Sequence, residues 1–219
     1  MKVALVLSGC GFLDGSEIHE AVLLLLALDR AGAQVDCFAP DALQRDVVDH
    51  AARAPLDERR SVLAESARIA RGRIRPLDQL DPAAHDALAF PGGYGAAKNL
   101  CDFAVAGADA RVEPAALRAI QGFHAARKPI LALCIAPALV AAALRGQGVR
   151  LTIGDEADVA AALVAMGARH EARKVHECCV DERHLVVSAP AYMHDASILE
   201  VARGVDSAVF ELGRLVKKT

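Results

Sequence analysis

Short, mainly apolar runs that stop on glycine, proline or cysteine recur along this chain, with helical stretches between them. Residues 2–8 (KVALVLS) run into Gly9-Cys10-Gly11. Residues 34–38 stop at Ala39-Pro40, residues 86–90 (DALAF) at Pro91-Gly92-Gly93-Tyr94-Gly95, and residues 130–133 at Cys134. Runs this short, with no polar alternation, read as strands buried on both faces. The spacing predicts helices over 17–31 (closed by Gly32), 43–53, 57–71, 113–127 with Pro114 in the first turn, 135–144, 155–166 starting from Asp155, and 195–214. Residues 174–180 and 184–188 suit a hairpin around Asp181-Glu182-Arg183. The alternation predicts an α/β fold, a doubly wound and mostly parallel sheet flanked by helices, in one domain spanning 1–219. Ligands of such sheets bind beyond the carboxyl ends of the strands. Attention therefore falls on Gly9-Cys10-Gly11, Pro91-Gly92-Gly93 and Cys134.

Composition narrows the partners. A hydrophobic fraction of 54% over 219 residues buries a core without covalent staples. Aromatics at 4%, no Trp and a formal charge of -3 argue against a nucleic-acid partner. The six cysteines, at 10, 37, 101, 134, 178 and 179, lack the dense spacing of a disulfide scaffold, and a reducing, cytoplasmic location is expected. Leu7-Ser8-Gly9-Cys10 matches a lipoprotein cleavage pattern, but the apolar stretch before it is shorter than the roughly 7–15 residues an export signal needs, so it reads as a strand. The apolar run 21–28 falls far short of a bilayer span, and no membrane segment is expected.

Cys134 sits in Ala132-Leu133-Cys134-Ile135-Ala136. A nucleophile on a sharp strand-to-helix turn needs small residues two positions away on each side, which Ala132 and Ala136 supply. The turn aims the Ile135 N–H at a forming oxyanion, and the helix start favours the thiolate. A small core cysteine is the ordinary alternative. Gly92 and Gly93 let the backbone approach a ligand and offer N–H groups, as a second half of an oxyanion hole, or else form a plain turn. In Asp14-Gly15-Ser16-Glu17-Ile18-His19-Glu20, Asp14 and Glu17 have capping-box spacing. Glu20 lies one turn in, against an apolar run, where a carboxyl could trade a proton with a thiol; the alternative is a solvated first-turn residue. Glu17, His19 and Cys10 are secondary candidates. His176, Cys178, Cys179 and His184 cluster in sequence, but adjacent strand residues face opposite ways, so no metal site is assigned. Gly9-Cys10-Gly11-Phe12-Leu13-Asp14 begins like a dinucleotide fingerprint and fails at Asp14, and no cofactor is assigned.

Seven stretches carry a family likeness: SGCGFLDGSEIHEA (8–21), CFAPD (37–41), RIARGRIRPL (68–77), PGGYGAAKNL (91–100), LCIAPA (133–138), LTIG (151–154) and APAYM (189–193). In this order they resemble the ThiJ/PfpI superfamily, a class I glutamine-amidotransferase-like, flavodoxin-like sandwich. Within it they resemble the ElbB-type subgroup of glyoxalase or isoprenoid-biosynthesis-associated proteins. The resemblance implies that Cys134 is the reactive cysteine and Glu20 its partner, and it implies a homodimer. No histidine follows the elbow in 150–154, and no late His-x-Glu pair exists, which leaves a Cys/Glu dyad rather than a glutamine-hydrolysing triad. The function implied is a cofactor-independent glyoxalase acting on small α-oxoaldehydes. Its rivals are a redox or carbonyl-stress sensor or chaperone-like protein using the same thiol, and an accessory protein of isoprenoid metabolism, for which no Asp-rich run is present.

Overall fold

The computed structural model describes residues 1–218. The strands are β1 (Lys2–Val6), β2 (Gln34–Ala39), β3 (Val48–Asp49), β4 (Ala54–Pro55), β5 (Ile74–Pro76), β6 (Ala87–Phe90), β7 (Ile130–Leu133), β8 (Arg150–Leu151), β9 (Arg169–His170), β10 (Cys179–Asp181) and β11 (Val186–Ala189). The α-helices are α1 (Ile18–Arg30), α2 (Val62–Ile69), α3 (Tyr94–Lys98), α4 (Phe103–Ala106), α5 (Pro114–Ala125), α6 (Ala136–Ala143), α7 (Ala157–Ala165) and α8 (Ile198–Val216). Seven strands form the central sheet in the order β10-β11-β7-β6-β1-β2-β5, every pair parallel except β10 with β11.

The period of two expected of buried strands decides what each face holds. Val3, Leu5, Ala87, Ala89, Leu131 and Leu133 turn toward α1 and α8. Ala4, Val6, Leu88, Phe90, Ile130 and Ala132 turn toward α5 and α6. With helices on both faces these strands have no solvated side, which is why they read as continuous apolar runs. The long helix α8 begins with a capping box between Ser197 and Glu200 and presses Val201, Val205, Ala208, Val209, Leu212 and Leu215 into the core. Gly204 lies in the same stripe, and a Cβ there would stand 2.1 Å from the Val175 carbonyl oxygen. Ala normally gains about 1 kcal/mol over Gly inside a helix. Here the sign reverses: Gly204→Ala is expected to cost about 2 kcal/mol, because the backbone of Val175 must move to admit it. Urea denaturation measures the difference, and an unchanged or raised midpoint would contradict it.

The helix expected over 43–53 is absent. That stretch holds β3, paired antiparallel with β4 just after it, and Leu43 is bridged to Ser61. Three features prevent the helix. The Asp14 carboxylate takes the Val48 N–H at 2.8 Å, Arg53 adopts φ +52, and Pro55 follows. The helix expected over 57–71 begins only at Val62, where Ser61 caps it by accepting the Ala64 N–H. The edge strand β5 had no expectation; it is short and ends on Pro76, as an edge tolerates. Its pairing with β2 through Cys37–Ala39 closes that end of the sheet. The predicted hairpin forms as β10–β11, and the Asp181 carboxylate holds its turn through the N–H groups of Arg183 and His184.

Candidate active site

The carboxyl ends of β1, β6, β7 and β11 open on one rim. Four connections gather there: the loop 8–17, Pro91-Gly92-Gly93, the elbow at Cys134, and residues 190–193. Cys134 has φ +56, in the left-handed region that non-glycine residues rarely occupy. Strain of this kind costs about 1–3 kcal/mol and persists only where surroundings hold it. Here the Cys134 N–H donates to the Ala189 carbonyl at 2.9 Å. Ala132 and Ala136, two residues to each side, are wholly buried, as the tight turn requires.

Glu20 is completely buried in the first turn of α1. Its carboxylate accepts the Gly92 N–H at 2.7 Å on one oxygen and the Tyr192 N–H at 3.2 Å on the other. The Cys134 thiol and the same carboxyl flank Gly92 together. Gly92 is squeezed between the pair: a Cβ there would stand 2.3 Å from Cys134 Cβ and 2.5 Å from Glu20 Oε2. At Gly93, with φ +92, a Cβ would meet the Glu17 nitrogen at 2.3 Å. Absence of side chains lets the two loops lie backbone on backbone. The Glu17 N–H donates to Gly92 O at 2.9 Å, the Tyr94 N–H to Phe12 O at 2.7 Å and the Gly95 N–H to Gly15 O at 2.8 Å.

Burial and, after it, the negative charge of Glu17 raise the Glu20 carboxyl to about 7, against the N–H donors of Tyr192 and Gly92 and the bond with Cys134. Burial first, and the Glu20 charge second, hold the Cys134 thiol well above the ordinary cysteine value; the N–H groups of Gly93 and Ile135, both directed at the sulfur, oppose this. The sequence reading expected the helix start to favour the thiolate. Desolvation outweighs it, because a sulfur anion enclosed by protein loses its hydration while a second anion stands beside it. The pair is therefore a protonated thiol beside a carboxyl raised to about 7.

A cavity of about 440 Å³ opens above Cys134, bordered by Gly93, Ile135, Tyr192 and Met193. Of the expected residues, Cys134, Glu20, Gly92, Gly93 and Ile135 come together. Gly92 departs from its expected part, since its N–H is spent on Glu20 rather than offered to a ligand. Glu17 caps α1 itself, accepting the Glu20 N–H at 2.6 Å, so the predicted Asp14–Glu17 capping box does not form. Glu17 also borders the cavity. His19 is exposed and pairs with the Tyr192 hydroxyl at 2.9 Å. Cys10 does not border the cavity; it is half-buried near Glu65 and Arg68, and burial chiefly raises its thiol. Cys178 approaches Ser207 on α8 while Cys179, the first residue of β10, turns toward Glu171, so the two adjacent thiols point apart. Among the described residues no group of three His, Cys, Asp or Glu is placed to hold a metal ion. No histidine of the described residues borders the cavity.

Tyr192, whose N–H completes the Glu20 carboxylate, was not singled out from sequence. Its signal was present: 190–193 follow a buried strand, at the same carboxyl rim as the other three loops.

No family model matches the chain. It is 47% identical over 227 residues to the ES1 protein homolog, mitochondrial, of Rattus norvegicus, across 99% of this chain and 85% of that protein. It is likewise 47% identical to the human glutamine amidotransferase-like class 1 domain-containing protein 3, mitochondrial, across 99% of this chain and 84% of that one. Among solved structures, an isoprenoid biosynthesis protein with an amidotransferase-like domain from Ehrlichia chaffeensis superposes with a TM-score of 0.93 at 38% identity, over 98% of this chain and 99% of that one. The likeness to glyoxalase III from Candida albicans, TM-score 0.63 at 13% identity, is one of fold alone. The cytoplasmic location read from the cysteines is overturned by the relatives, which are named mitochondrial proteins. Scattered free cysteines separate a reducing compartment from an oxidising one, but carry nothing that separates one reducing compartment from another.

Proposed function

The chain belongs to the ES1 family of glutamine amidotransferase-like class 1 proteins, in the DJ-1/ThiJ/PfpI superfamily, and from that premise we propose that it is a cofactor-independent glyoxalase. The observation that carries this reading is the buried Cys134–Glu20 pair, Cys134 bordering a cavity and Glu20 enclosed behind it with its carboxyl raised to about 7. A carboxyl poised near neutrality takes and returns protons at comparable cost, as general acid–base work demands.

The Cys134 sulfur attacks the aldehyde carbon of methylglyoxal while its proton passes to the Glu20 carboxylate and on to the aldehyde oxygen. That oxygen settles against the N–H groups of Gly93 and Ile135, which border the cavity. The product is a hemithioacetal. Glu20, again a carboxylate, removes the hydrogen from the former aldehyde carbon, giving an enediolate whose remaining hydroxyl proton passes to the oxygen of the former ketone. Glu20 then returns its proton to the neighbouring carbon, and the former aldehyde carbon becomes a thioester carbonyl. Water breaks the C–S bond, releasing lactate and restoring the thiol. The aldehyde carbon is oxidised and the adjacent ketone carbon reduced, so the sum is aldehyde plus one water. The substrate itself supplies the electrophile and the acidic hydrogen.

The sensor reading has less support. Peroxide oxidises thiolates, and burial keeps Cys134 protonated. The deciding experiment follows lactate by NMR from methylglyoxal and purified protein without glutathione. Lactate is expected to appear as fast as aldehyde is lost, well above the rate with heat-unfolded protein. Equal rates would overturn the proposal.

A further inference from the structure

The walls of the cavity say more about its occupant than the reacting pair does. Around Cys134 stand Phe12, Phe103, Ile135, Val159 and Met193. The charged side chains among them are two carboxylates, Glu17 and Glu156; no Lys, Arg or His of the described residues borders the cavity. Glu156 leads into α7 without capping it through its side chain, and Glu17, second to burial, raises both Glu20 and the Tyr192 hydroxyl. An anionic ligand entering here would meet like charge on the walls; Arg53 lies 5.9 Å from the Phe12 ring and Lys98 5.5 Å from the Tyr94 ring, but neither borders the cavity. A cavity of about 440 Å³ with aromatic and aliphatic walls also leaves most of its apolar lining uncovered around a substituent as small as a methyl group.

From this we infer that the site is built for an uncharged α-oxoaldehyde carrying an apolar group larger than methyl, an aryl or branched alkyl glyoxal, and that it rejects carboxylate- or phosphate-bearing carbonyl compounds. The inference rests on Cys134 being the atom that attacks carbon, as proposed above. A single methylene in an apolar pocket discriminates by about tenfold or more, so phenylglyoxal is expected to exceed methylglyoxal at least about tenfold in kcat/KM. Two like charges near a partly enclosed anion produce a discrimination of similar size.

The test uses alkylation, so that it does not depend on turnover. Purified protein is treated with phenacyl bromide or 4-carboxyphenacyl bromide, which share the reacting carbon and differ in charge, and modification of Cys134 is followed by peptide mass spectrometry. Rates are divided by those with 2-mercaptoethanol, an uncharged thiol. The neutral reagent is expected to be favoured at least about tenfold over its carboxylate. The preference should shrink in Glu156→Gln and at high salt, where exposed charge is screened. A ratio equal to that of mercaptoethanol, or one that Glu156→Gln leaves untouched, overturns the inference. The lactate assay reports separately. Discrimination without lactate from methylglyoxal or mandelate from phenylglyoxal would remove the glyoxalase reading and leave the ligand class standing. Lactate without discrimination would do the reverse.

Discussion

Cys134→Ala is expected to reduce lactate formation from methylglyoxal to the rate of buffer alone, a fall of at least about a thousandfold in kcat/KM. The sulfur forms the bond on which every later step depends, and no other cysteine of the described residues borders the cavity. Glu20→Gln keeps the shape of the side chain and removes the proton acceptor, so a loss of about 10²–10⁴-fold is expected, the range of positioned general bases. Because the two groups act on one proton, the double variant should be no worse than Cys134→Ala alone. In the parent, kcat/KM should climb about tenfold per pH unit below pH 7 and level off above it, since the carboxylate form of Glu20 is the acceptor and its value is about 7. Steady-state lactate measurements on the four proteins decide the matter. A Cys134→Ala protein that keeps a tenth of parental turnover would sink the mechanism.

What the residues disclosed, and what they did not, follows from the range of the forces involved. The parallel strands were legible because burial on both faces removes polar alternation, as in the runs ending at Phe90 and Leu133. Cys134 was legible for a local reason, the alanines two residues away. Glu20 was legible as a carboxyl with no local partner beside an apolar run, and the structure supplies partners 72 and 172 residues away, Gly92 and Tyr192. The failures lie where tertiary contacts override local preference. Residues 43–53 have helical composition, but the Asp14 carboxylate, more than thirty residues earlier, claims the Val48 N–H. Gly92 was read as a donor to substrate because its spacing from the strand is right; that its N–H points at Glu20 depends on how α1 docks, which no local pattern encodes. The raised Cys134 thiol has the same origin, since the enclosing walls come from four separate loops.

The same carboxyl sets a pH dependence of stability opposite to that of activity. Glu20 has a folded value of about 7 against an ordinary 4.5, so the folded protein binds this proton more tightly than the unfolded chain. Its stabilising contribution is fully present below about pH 4.5 and is lost as pH rises through 7. Each pKa unit corresponds to about 1.4 kcal/mol, so the loss reaches about 3 kcal/mol by pH 8. His124 and His170, held below the ordinary value mainly by burial, act in the opposite direction across the same window. Carboxylates such as Asp181, lowered despite burial by its N–H and His184 partners, matter only in more acidic solution. Comparison with Glu20→Gln isolates the one group. Gln presents a single acceptor to the N–H groups of Gly92 and Tyr192, a fixed cost that does not vary with pH. Between pH 4.5 and pH 8 the variant should therefore gain on the parent by about 3 kcal/mol, or about 6–12 °C in relative Tm. Urea titrations at stepped pH measure this, and parallel stability curves for the two proteins would refute it. The expected divergence locates the cost of the site: above pH 7, where Glu20 is competent to take the thiol proton, an unneutralised carboxylate sits wholly buried in α1, and the Gly92 and Tyr192 N–H groups are what keep it there.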